Sequence, residues 1–213
     1  MSFDNNWEKE VYSKKKQKNL YPFEWVIAST NKYVKNYKFK KVIELGCGTG
    51  NNITLFKNLG FKKIVGVEGS KSAVNFSKNK FKINKNIQIL QSDFSKIKIK
   101  KNTFDLCLDR GSITHNNKKD VKQIINNVHY FLKPGGFFFS SIFSSNHYAN
   151  GNKRFFFKKE IKSKVGLIAT FLSKKEIKEY YKKFKFVSII YENKFELKNK
   201  KKKSCWWYLI LKK

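Results

Sequence analysis

Arginine is almost absent from this sequence. Only Arg110 and Arg154 occur among its 47 basic residues, and lysine supplies the rest. Acidic residues number 15, so the formal net charge is +32. Arginine binds phosphates and base edges through paired hydrogen bonds, whereas lysine is a hydrated point charge, so this charge is a weak argument for nucleic-acid binding. Alanine is also scarce and Asn, Ile and Phe are abundant, as expected if an AT-rich genome determines the tolerant surface positions.

Three further absences narrow the class of protein. No apolar run approaches the roughly 18 residues that span a bilayer, and residues 2–10 lack the hydrophobic stretch of a signal peptide, which predicts a cytosolic protein. Cys47, Cys107 and Cys205 fit neither a disulfide framework nor a zinc pattern, so we expect reduced thiols and no metal site. The apolar fraction of 40% is enough for a core, and 213 residues suit one domain over 1–213.

From residue 41 onward, strand and helix signals alternate. The clearest helix pattern lies at Val121–Leu132, and we expect Pro134 and Gly135 to end it. This alternation predicts an α/β fold with a doubly wound, mostly parallel, Rossmann-like sheet. The predicted buried strands are Val42–Leu45, Ile64–Val67, Ile87–Leu90, Phe104–Leu108 and Gly136–Ile142.

Three regions depart from this alternation. Amphipathic stretches in residues 1–38 predict an N-terminal helical cover. Residues 146–170 are aromatic, basic and weakly periodic, and a connection of this length predicts a functional insert or lid. At the C-terminus, Phe186–Leu197 and Ser204–Leu211 predict an antiparallel hairpin with the lysine run Lys200–Lys203 as its solvated turn.

The strongest motif is a strand that runs into a glycine-rich turn with Gly46, Gly48 and Gly50. Glycines let a backbone approach a ligand closely, and the helix that follows offers unpaired N–H donors. A dinucleotide fingerprint would need a further glycine where Asn51 stands, and no Gly-Lys-Ser/Thr follows that would make a P-loop. An ordinary strand-to-helix turn remains the alternative interpretation.

Two later strand ends carry acidic side chains. Glu68, followed by Gly69, comes about twenty residues after the turn, where a carboxylate can accept the hydroxyls of a ribose. Asp93 and Phe94 follow the third strand and would suit an adenine amino group and ring face. Each position alone is also typical of a solvated strand end, but the order and spacing together predict a nucleoside site.

These residues resemble the class I S-adenosylmethionine-dependent methyltransferase family over roughly residues 40–143. The resemblance implies a seven-stranded sheet whose last strand is antiparallel, with S-adenosylmethionine as cofactor and S-adenosylhomocysteine as product. It also implies that the glycine turn, with Asn51 and Gly69 beside the nucleoside, lines the methionine and ribose portion. The motifs that carry the resemblance are E-x-G-C-G-x-G at 44–50, Glu68, S-D-F at 92–94, F-D-L-C-L-D at 104–109 and L-K-P-G-G at 132–136.

By the same resemblance, Glu44 supports the turn and the cofactor amino group, Glu68 the ribose, Asp93 the adenine amino group and Phe94 the adenine face. The segment from Asp109 to His115 is similar to that of small bacterial members of the family that have an aromatic N-terminal cover. In such a cover Trp7, Tyr12 and Tyr21 would help to close the cofactor pocket.

Methyl transfer requires the acceptor atom to be aligned with the methyl group and, where the acceptor is a hydroxyl, a base that removes its proton. His115 and Asp109 come at and just beyond the end of the fourth strand, and His115 is the better base because its ordinary pKa lies near neutrality. Asp109 would equally suit a cofactor contact. Arg110 would pair with an anionic substrate group, and His147 is a second candidate on the substrate side.

Three functions stay open at this point. The first is methyl transfer to a small molecule, preferably an oxygen of a sugar, nucleotide-sugar or related metabolite. The second is a methyltransferase for RNA or another macromolecule, favoured by the +32 charge and by the aromatic and basic run Lys153–Lys159. The third is a domain that binds the cofactor without turnover. The sequence leaves the oligomeric state open.

Overall fold

The computed structural model describes residues 3–14, 19–150, 154–155, 167–197 and 199–213. A π-helix at Trp7–Tyr12 precedes the helices, which are α1 (Glu24–Tyr33), α2 (Asn51–Asn58), α3 (Lys71–Lys80), α4 (Lys118–Phe131) and α5 (Lys174–Tyr180). The strands are β1 (Lys41–Leu45), β2 (Lys63–Glu68), β3 (Ile87–Gln91), β4 (Phe104–Arg110), β5 (Leu132–Phe143), β6 (Arg154–Phe155), β7 (Leu167–Ile168), β8 (Lys185–Glu196) and β9 (Asn199–Lys212).

Seven strands form one sheet in the order β3-β2-β1-β4-β5-β9-β8. The first five strands pair in parallel, whereas β9 runs antiparallel to both β5 and β8. The predicted seven-stranded, Rossmann-like α/β sheet with an antiparallel last strand is therefore confirmed. Because the carboxyl ends of parallel strands share one edge of a sheet, the residues after β1 to β5 converge there.

Hydrophobic cores cover both faces of the sheet, as the unbroken apolar runs of the central strands predict. Alternate residues of β1 point to opposite faces: Ile43 belongs to the core beneath α4 and α5, and Val42 to the core beneath α1, α2 and α3. In α4, the 3.6-residue repeat from Val121 to Phe131 is buried along one side. The helix ends at Phe131. Its C-cap, Leu132, lies two residues ahead of Pro134, which was expected to end the helix.

The N-terminal π-helix is held against α3 by one side chain. Glu8 accepts hydrogen bonds from the hydroxyls of Ser70 and Ser72 at 2.5 and 2.6 Å and from the Ser72 N–H at 3.0 Å. Burial raises the pKa of Glu8, but these hydrogen bonds outweigh it and hold the pKa below its ordinary value. The carboxylate thus occupies the positive N-terminal end of α3 and fixes the π-helix beside the sheet edge.

The C-terminal hairpin was predicted correctly, but its turn was not. β8 ends at Glu196, which pairs with Asn199, so Lys200–Lys203 belong to β9 and not to the connection. A connection of two residues is enough to join antiparallel strands, so Lys200–Lys203 can form part of a strand in the hairpin at the edge of the sheet. Most of the aromatic and basic run at 153–159 lies outside the described residues. Within the part of the chain that the structure describes, no helix is long and apolar enough to cross a membrane.

Candidate active site

A cavity of about 470 Å³ opens at the carboxyl edge of the parallel strands. Its size and position are those expected of a ligand site in an open α/β sheet. Four predicted residues, Gly50, Gly69, Asp109 and Tyr21, are not among those that line it. The predicted residues that do line it are Trp7, Tyr12, Glu44, Gly46, Gly48, Asn51, Glu68, Asp93, Phe94, Arg110, His115 and His147.

The turn after β1 brings backbone to the cavity wall. Gly46 and Gly48 have φ of +69° and +51°, a region that side chains rarely occupy. A Cβ on Gly46 would lie 2.0 Å from the Ser112 hydroxyl, and one on Gly48 would lie 2.8 Å from the Tyr12 hydroxyl. Gly50, which was predicted to line the cofactor site, is the N-cap residue of α2; it lies beside the Phe81 ring and does not line the cavity.

Glu44 is a buried carboxylate with one satisfied oxygen. Its Oε1 accepts a 2.7 Å hydrogen bond from Asn52 Nδ2, whereas its Oε2 is buried and has no hydrogen-bond partner among the residues that the structure describes. Burial raises the pKa of Glu44 to about 8, and the charges of Glu68 and Asp109 add to the rise. A buried acceptor without a donor costs free energy, so a cationic or N–H group bound in the cavity would relieve it.

Glu68 ties the end of β2 to the glycine turn. Its Oε2 accepts a hydrogen bond from the Gly48 N–H at 2.9 Å, and its Oε1 accepts one from the Ser70 N–H at 2.9 Å. Burial raises the pKa of Glu68, although the hydrogen bonds from Ser70, Gly48 and Gly69 oppose the rise. The carboxylate therefore holds the turn in place and also lines the cavity.

The Asp93 end of the cavity is covered by the N-terminal segment. Asp93 Oδ1 accepts from the Ser95 N–H and hydroxyl at 3.0 and 2.7 Å, and Oδ2 accepts from the Phe3 N–H at 3.3 Å. The Phe3 ring lies over Gly69, where an added Cβ would approach it to 2.2 Å. Gly69 was expected to line the cofactor site, but this ring separates it from the cavity.

The aromatic cover is made partly by residues other than those predicted. Trp7 and Tyr12 line the cavity as expected. Tyr21 is 82% exposed and takes no part; only its carbonyl is used, as acceptor for Asn51 Nδ2 at 3.0 Å. Phe23, two residues further on, lines the cavity in its place, because α1 begins at Glu24 and turns Phe23 towards the sheet edge.

Asp109 was expected to reach the reacting groups, but the structure places it below the cavity. Its Oδ1 accepts from the Ser112 and Ile113 N–H groups at 2.8 and 3.0 Å, and its Oδ2 accepts from the Ser140 hydroxyl at 3.0 Å. The side chain is fully buried, and this burial raises its pKa to about 7. Asp109 therefore shapes the loop after β4 and does not contact the cavity.

His115 lies in the cavity wall in one defined orientation. Its Nδ1 lies 3.1 Å from the Ile168 carbonyl oxygen, and since a carbonyl only accepts, Nδ1 carries the proton. Nε2 is then the nitrogen with the basic lone pair. The Trp7 ring meets the imidazole edge to face at a centroid distance of 4.8 Å. Burial lowers the pKa of His115 to about 4, so the ring is neutral at pH 7.

His147 has the opposite tautomer. Its Nδ1 accepts a 3.2 Å hydrogen bond from the Ala149 N–H, so the proton is on Nε2. The ring packs between Phe143 and Tyr148, at centroid distances of 4.5 and 4.7 Å, and burial lowers its pKa to about 4. The cavity wall thus contains two neutral histidines that differ in which nitrogen is protonated.

Several residues of this wall were not predicted from the sequence, above all Phe143 at the end of β5 and Trp206 in the middle of β9. Period-2 alternation was a usable signal for Trp206, since in β9 it shares a sheet face with Tyr208 while Trp207 enters the opposite core. No local pattern marked Phe3, which reaches the site only through the path of the chain.

The site fits S-adenosylmethionine on two observations. The unpartnered Oε2 of Glu44 suits a cationic amino group, and the bare backbone at Gly46 and Gly48 leaves space for the nucleoside side of a ligand. A glycine turn after β1, an acidic end of β2 and an antiparallel last strand in a seven-stranded sheet are together typical of class I S-adenosylmethionine-dependent methyltransferases. S-adenosylmethionine is the cofactor of this enzyme class.

Residues 42–136 match the family model described as a methyltransferase domain. A comparison with curated proteins finds no match. Among solved structures, an S-adenosylmethionine-dependent methyltransferase from Mesorhizobium loti is 13% identical with a TM-score of 0.70, covering 87% of this chain and 96% of that chain. TehB from Haemophilus influenzae is 20% identical with a TM-score of 0.69, covering 96% and 67%. At these identities the likeness establishes the fold.

A methyltransferase from Methanosarcina mazei shares the same fold, with 14% identity, a TM-score of 0.71, and 91% and 99% coverage of the two chains. The resemblance read from the motifs at residues 44–50, 68 and 92–94 is thus confirmed at the level of family and cofactor. The roles of individual residues rest on the geometry described above.

Proposed function

We propose that this enzyme transfers the methyl group of S-adenosylmethionine to a small-molecule acceptor, preferably an oxygen of a sugar, nucleotide-sugar or related metabolite. The observation that supports it most is the enclosure of the cavity beyond the glycine turn. Phe23, His115, Phe143, His147 and Trp206 come from separate segments of the chain and wall one space of limited volume. Such a space suits a metabolite better than a polymer.

The cofactor supplies an already activated methyl group, so the protein mainly has to align the acceptor and exclude water. Correct alignment alone is worth roughly 7 to 11 kcal/mol of the barrier. We assign Glu44, Glu68 and Asp93 to cofactor binding, with Phe94, Trp7 and Tyr12 as the apolar and aromatic part of the same wall. Asp109 is reassigned as a positioning residue that holds the loop of Arg110–Ile113.

His115 is our candidate for the base that removes the acceptor hydroxyl proton. The bond between the methyl carbon and the sulfonium sulfur would break as the methyl carbon bonds to the acceptor oxygen, and the O–H proton would pass to Nε2 of His115. Asp4 is near enough for its charge to favour the imidazolium that results. The turn that holds His115 is bonded to the end of the insert, since Thr114 Oγ1 donates to the Thr170 carbonyl at 2.6 Å. Thr170, at the end of the insert, therefore helps to place the base, and we propose that the insert at 146–170 is a lid within one domain over 1–213.

A screen for methyl incorporation tests this function. The purified protein is incubated with methyl-labelled S-adenosylmethionine and a metabolite extract, and labelled products are identified by mass spectrometry. We expect label in a small hydroxylated metabolite and its loss with His115→Ala. If calorimetry detected no S-adenosylmethionine binding at millimolar ligand, the proposed activity would be refuted altogether.

A second candidate is an RNA or other polyanionic acceptor, favoured by the net charge of +32. Binding through many lysines would weaken steeply as salt rises, because each neutralised phosphate releases counterions. A metabolite acceptor with at most one or two charges would show a shallow salt dependence. The two candidates are separated by measuring the apparent acceptor affinity between 50 and 200 mM salt, because about 10³-fold changes over this range are typical of polyanion binding.

We also propose a cytoplasmic location.

A further inference from the structure

The cavity has a marked charge asymmetry. Its lining includes the carboxylates of Asp4, Glu44, Glu68 and Asp93, all on the side of the glycine turn and the N-terminal segment. Although the chain has 47 basic residues, Arg110 is the only lysine or arginine among the described residues that line the cavity. The described part of the wall therefore contains one positive side chain and no lysine.

The surroundings of Arg110 are aromatic. Its guanidinium carbon lies 4.4 Å from the centroid of Phe23, 5.0 Å from that of Trp206 and 5.5 Å from that of Tyr208. Such packing holds the planar cation in a fixed orientation and leaves it weakly hydrated. The rings come from the N-terminal cover and from β9, so the arrangement depends on tertiary structure and not on a local turn.

The hydrogen bonding of Arg110 is incomplete. Within the described part of the chain, Nη1 and Nη2 reach only the hydroxyls of Ser141 and Tyr208, at 3.5 and 3.4 Å, and Nε is buried with no acceptor. None of the ion pairs among the described residues includes Arg110. The neighbouring Asp109 directs its carboxylate to the loop N–H groups and Ser140. A buried guanidinium N–H without an acceptor is costly, and an anion is its natural partner.

We propose that the acceptor carries an anionic group, a carboxylate or a phosphate, which docks on the guanidinium of Arg110 between Phe23 and Trp206. This inference rests on the proposed function and specifies its substrate class. The anion anchors the acceptor at Arg110 and so presents a hydroxyl towards His115. Phe23 and Trp206 exclude water from the contact, which strengthens it.

The first test fractionates the metabolite extract by anion exchange before incubation with wild-type protein and methyl-labelled S-adenosylmethionine. We expect label in the retained, anionic fraction. Pretreatment of that fraction with alkaline phosphatase distinguishes the sources: loss of the labelled product identifies a phosphate monoester, and persistence identifies a carboxylate or a phosphodiester. Label confined to the unretained fraction would overturn the inference while leaving the proposed function intact. Label in no fraction would refute both.

The second test compares Arg110→Met and Arg110→Lys with Lys122→Met, which removes a positive charge from the exposed surface of α4. Loss of a charge-assisted hydrogen bond predicts an apparent KM of the active fraction about 10- to 100-fold higher for Arg110→Met. Arg110→Lys should retain part of the affinity, because it keeps the charge but loses the planar donors. Lys122→Met should behave as wild type.

S-adenosylmethionine binding by calorimetry provides the decisive control. We expect the Kd of Arg110→Met for the cofactor to stay within about twofold of wild type, which also shows that the variant is folded. If cofactor binding weakened as much as the KM rose, the partner of Arg110 would be the cofactor carboxylate and not the acceptor. An unchanged KM would equally contradict the proposal.

Discussion

The backbone N–H of Gly48 donates a 2.9 Å hydrogen bond to Oε2 of Glu68, so the glycine turn and the acidic end of β2 form one unit. These residues are twenty positions apart in the sequence, and β1 and β2 bring them together by parallel pairing. One carboxylate therefore has two functions: it fixes the turn, and it faces the cavity in which the cofactor binds.

Glu68→Gln should weaken cofactor binding more than it weakens the fold. The amide keeps one acceptor oxygen but presents N–H donors to the Gly48 or Ser70 N–H group, so one of the two backbone bonds is lost. We expect the Kd for S-adenosylmethionine to rise about 10-fold or more, measured by calorimetry. Glu179→Gln, at an exposed position on α5, is the matched control. Equal affinity in wild type and Glu68→Gln would contradict the proposed role of this carboxylate.

Cofactor binding should release a proton from Glu44. Burial raises the pKa of Glu44 to about 8 in the free protein, so at pH 7 about nine-tenths of the molecules carry a proton there. Pairing with a cationic amino group requires the carboxylate, and affinity should therefore increase as the pH rises towards 8. Calorimetry at pH 7 in buffers of different ionisation enthalpy measures the released proton.

The control for this measurement is Glu44→Gln, whose side chain does not titrate. The amide still offers an oxygen to Asn52, so the hydrogen bond at 2.7 Å can persist. The variant should bind the cofactor with no proton release and with little dependence on pH over the same range. Proton release of the same size in the variant would show that another group is responsible.

Replacing His115 should reduce turnover and leave cofactor binding nearly unchanged. A positioned base contributes about 10²- to 10⁴-fold, so we expect His115→Ala to lower kcat by a factor in that range. His129→Ala, in the last turn of α4, tests whether loss of any histidine has the same effect. Because the pKa of His115 is about 4, the neutral, basic form persists from pH 8 down to pH 5. A fall in activity centred near pH 6.5 would contradict this state of the imidazole.

Glu8→Ala should speed cofactor release. Removing the three hydrogen bonds to Ser70 and Ser72 frees the π-helix that carries Trp7 and Tyr12 over the cavity. We expect the dissociation rate of S-adenosylmethionine to rise about 10-fold or more, as loss of a charged hydrogen-bond partner commonly does, measured by stopped-flow fluorescence of the cover tryptophan. Glu24→Ala, on the exposed side of α1, should leave the rate unchanged.

Asp109 should prove a positioning residue. Asp109→Ala leaves the Ser112 and Ile113 N–H groups without acceptors, which should cost about 1–3 kcal/mol of unfolding free energy. It should also lower kcat, because Ser112 and His115 lose their placement. Asp109→Asn retains an acceptor oxygen and should restore most of both quantities. If Asp109 were catalytic, the Asp109→Asn variant would be stable, but its kcat would be as low as that of Asp109→Ala.

Local motifs predicted the sheet correctly, and most of the residues that they assign to the cofactor line the cavity. The run from Val42 to Gly50 predicts a strand, a turn and a helix, because apolar continuity and glycine spacing are properties of neighbouring residues. Asp109 was assigned wrongly because the direction of a side chain at a strand end depends on the backbone it caps. The sequence did not indicate that Phe23 lines the cavity in place of Tyr21, because the residue at which α1 begins decides which aromatic side chain turns towards the cavity.

The acceptor side was less predictable because it is assembled from distant segments. Arg110 meets Phe23 and Trp206 only after β4, β9 and the N-terminal cover are in place. Its separation from Trp206 in the sequence leaves no periodic signal that joins the two. Contacts between residues so far apart in the sequence are seen in the structure, but the spacing of residues along the chain does not indicate them.

The absence of lysine from the described part of the cavity wall has an evolutionary consequence. Surface positions are free to follow the base composition of a genome, whereas the wall is constrained by chemistry. Identity over the whole chain is 13% to 20% against the three structures compared above, and this value counts surface and wall positions alike. Two divergent proteins that methylate the same acceptor should still have the same residues at the few wall positions around Arg110.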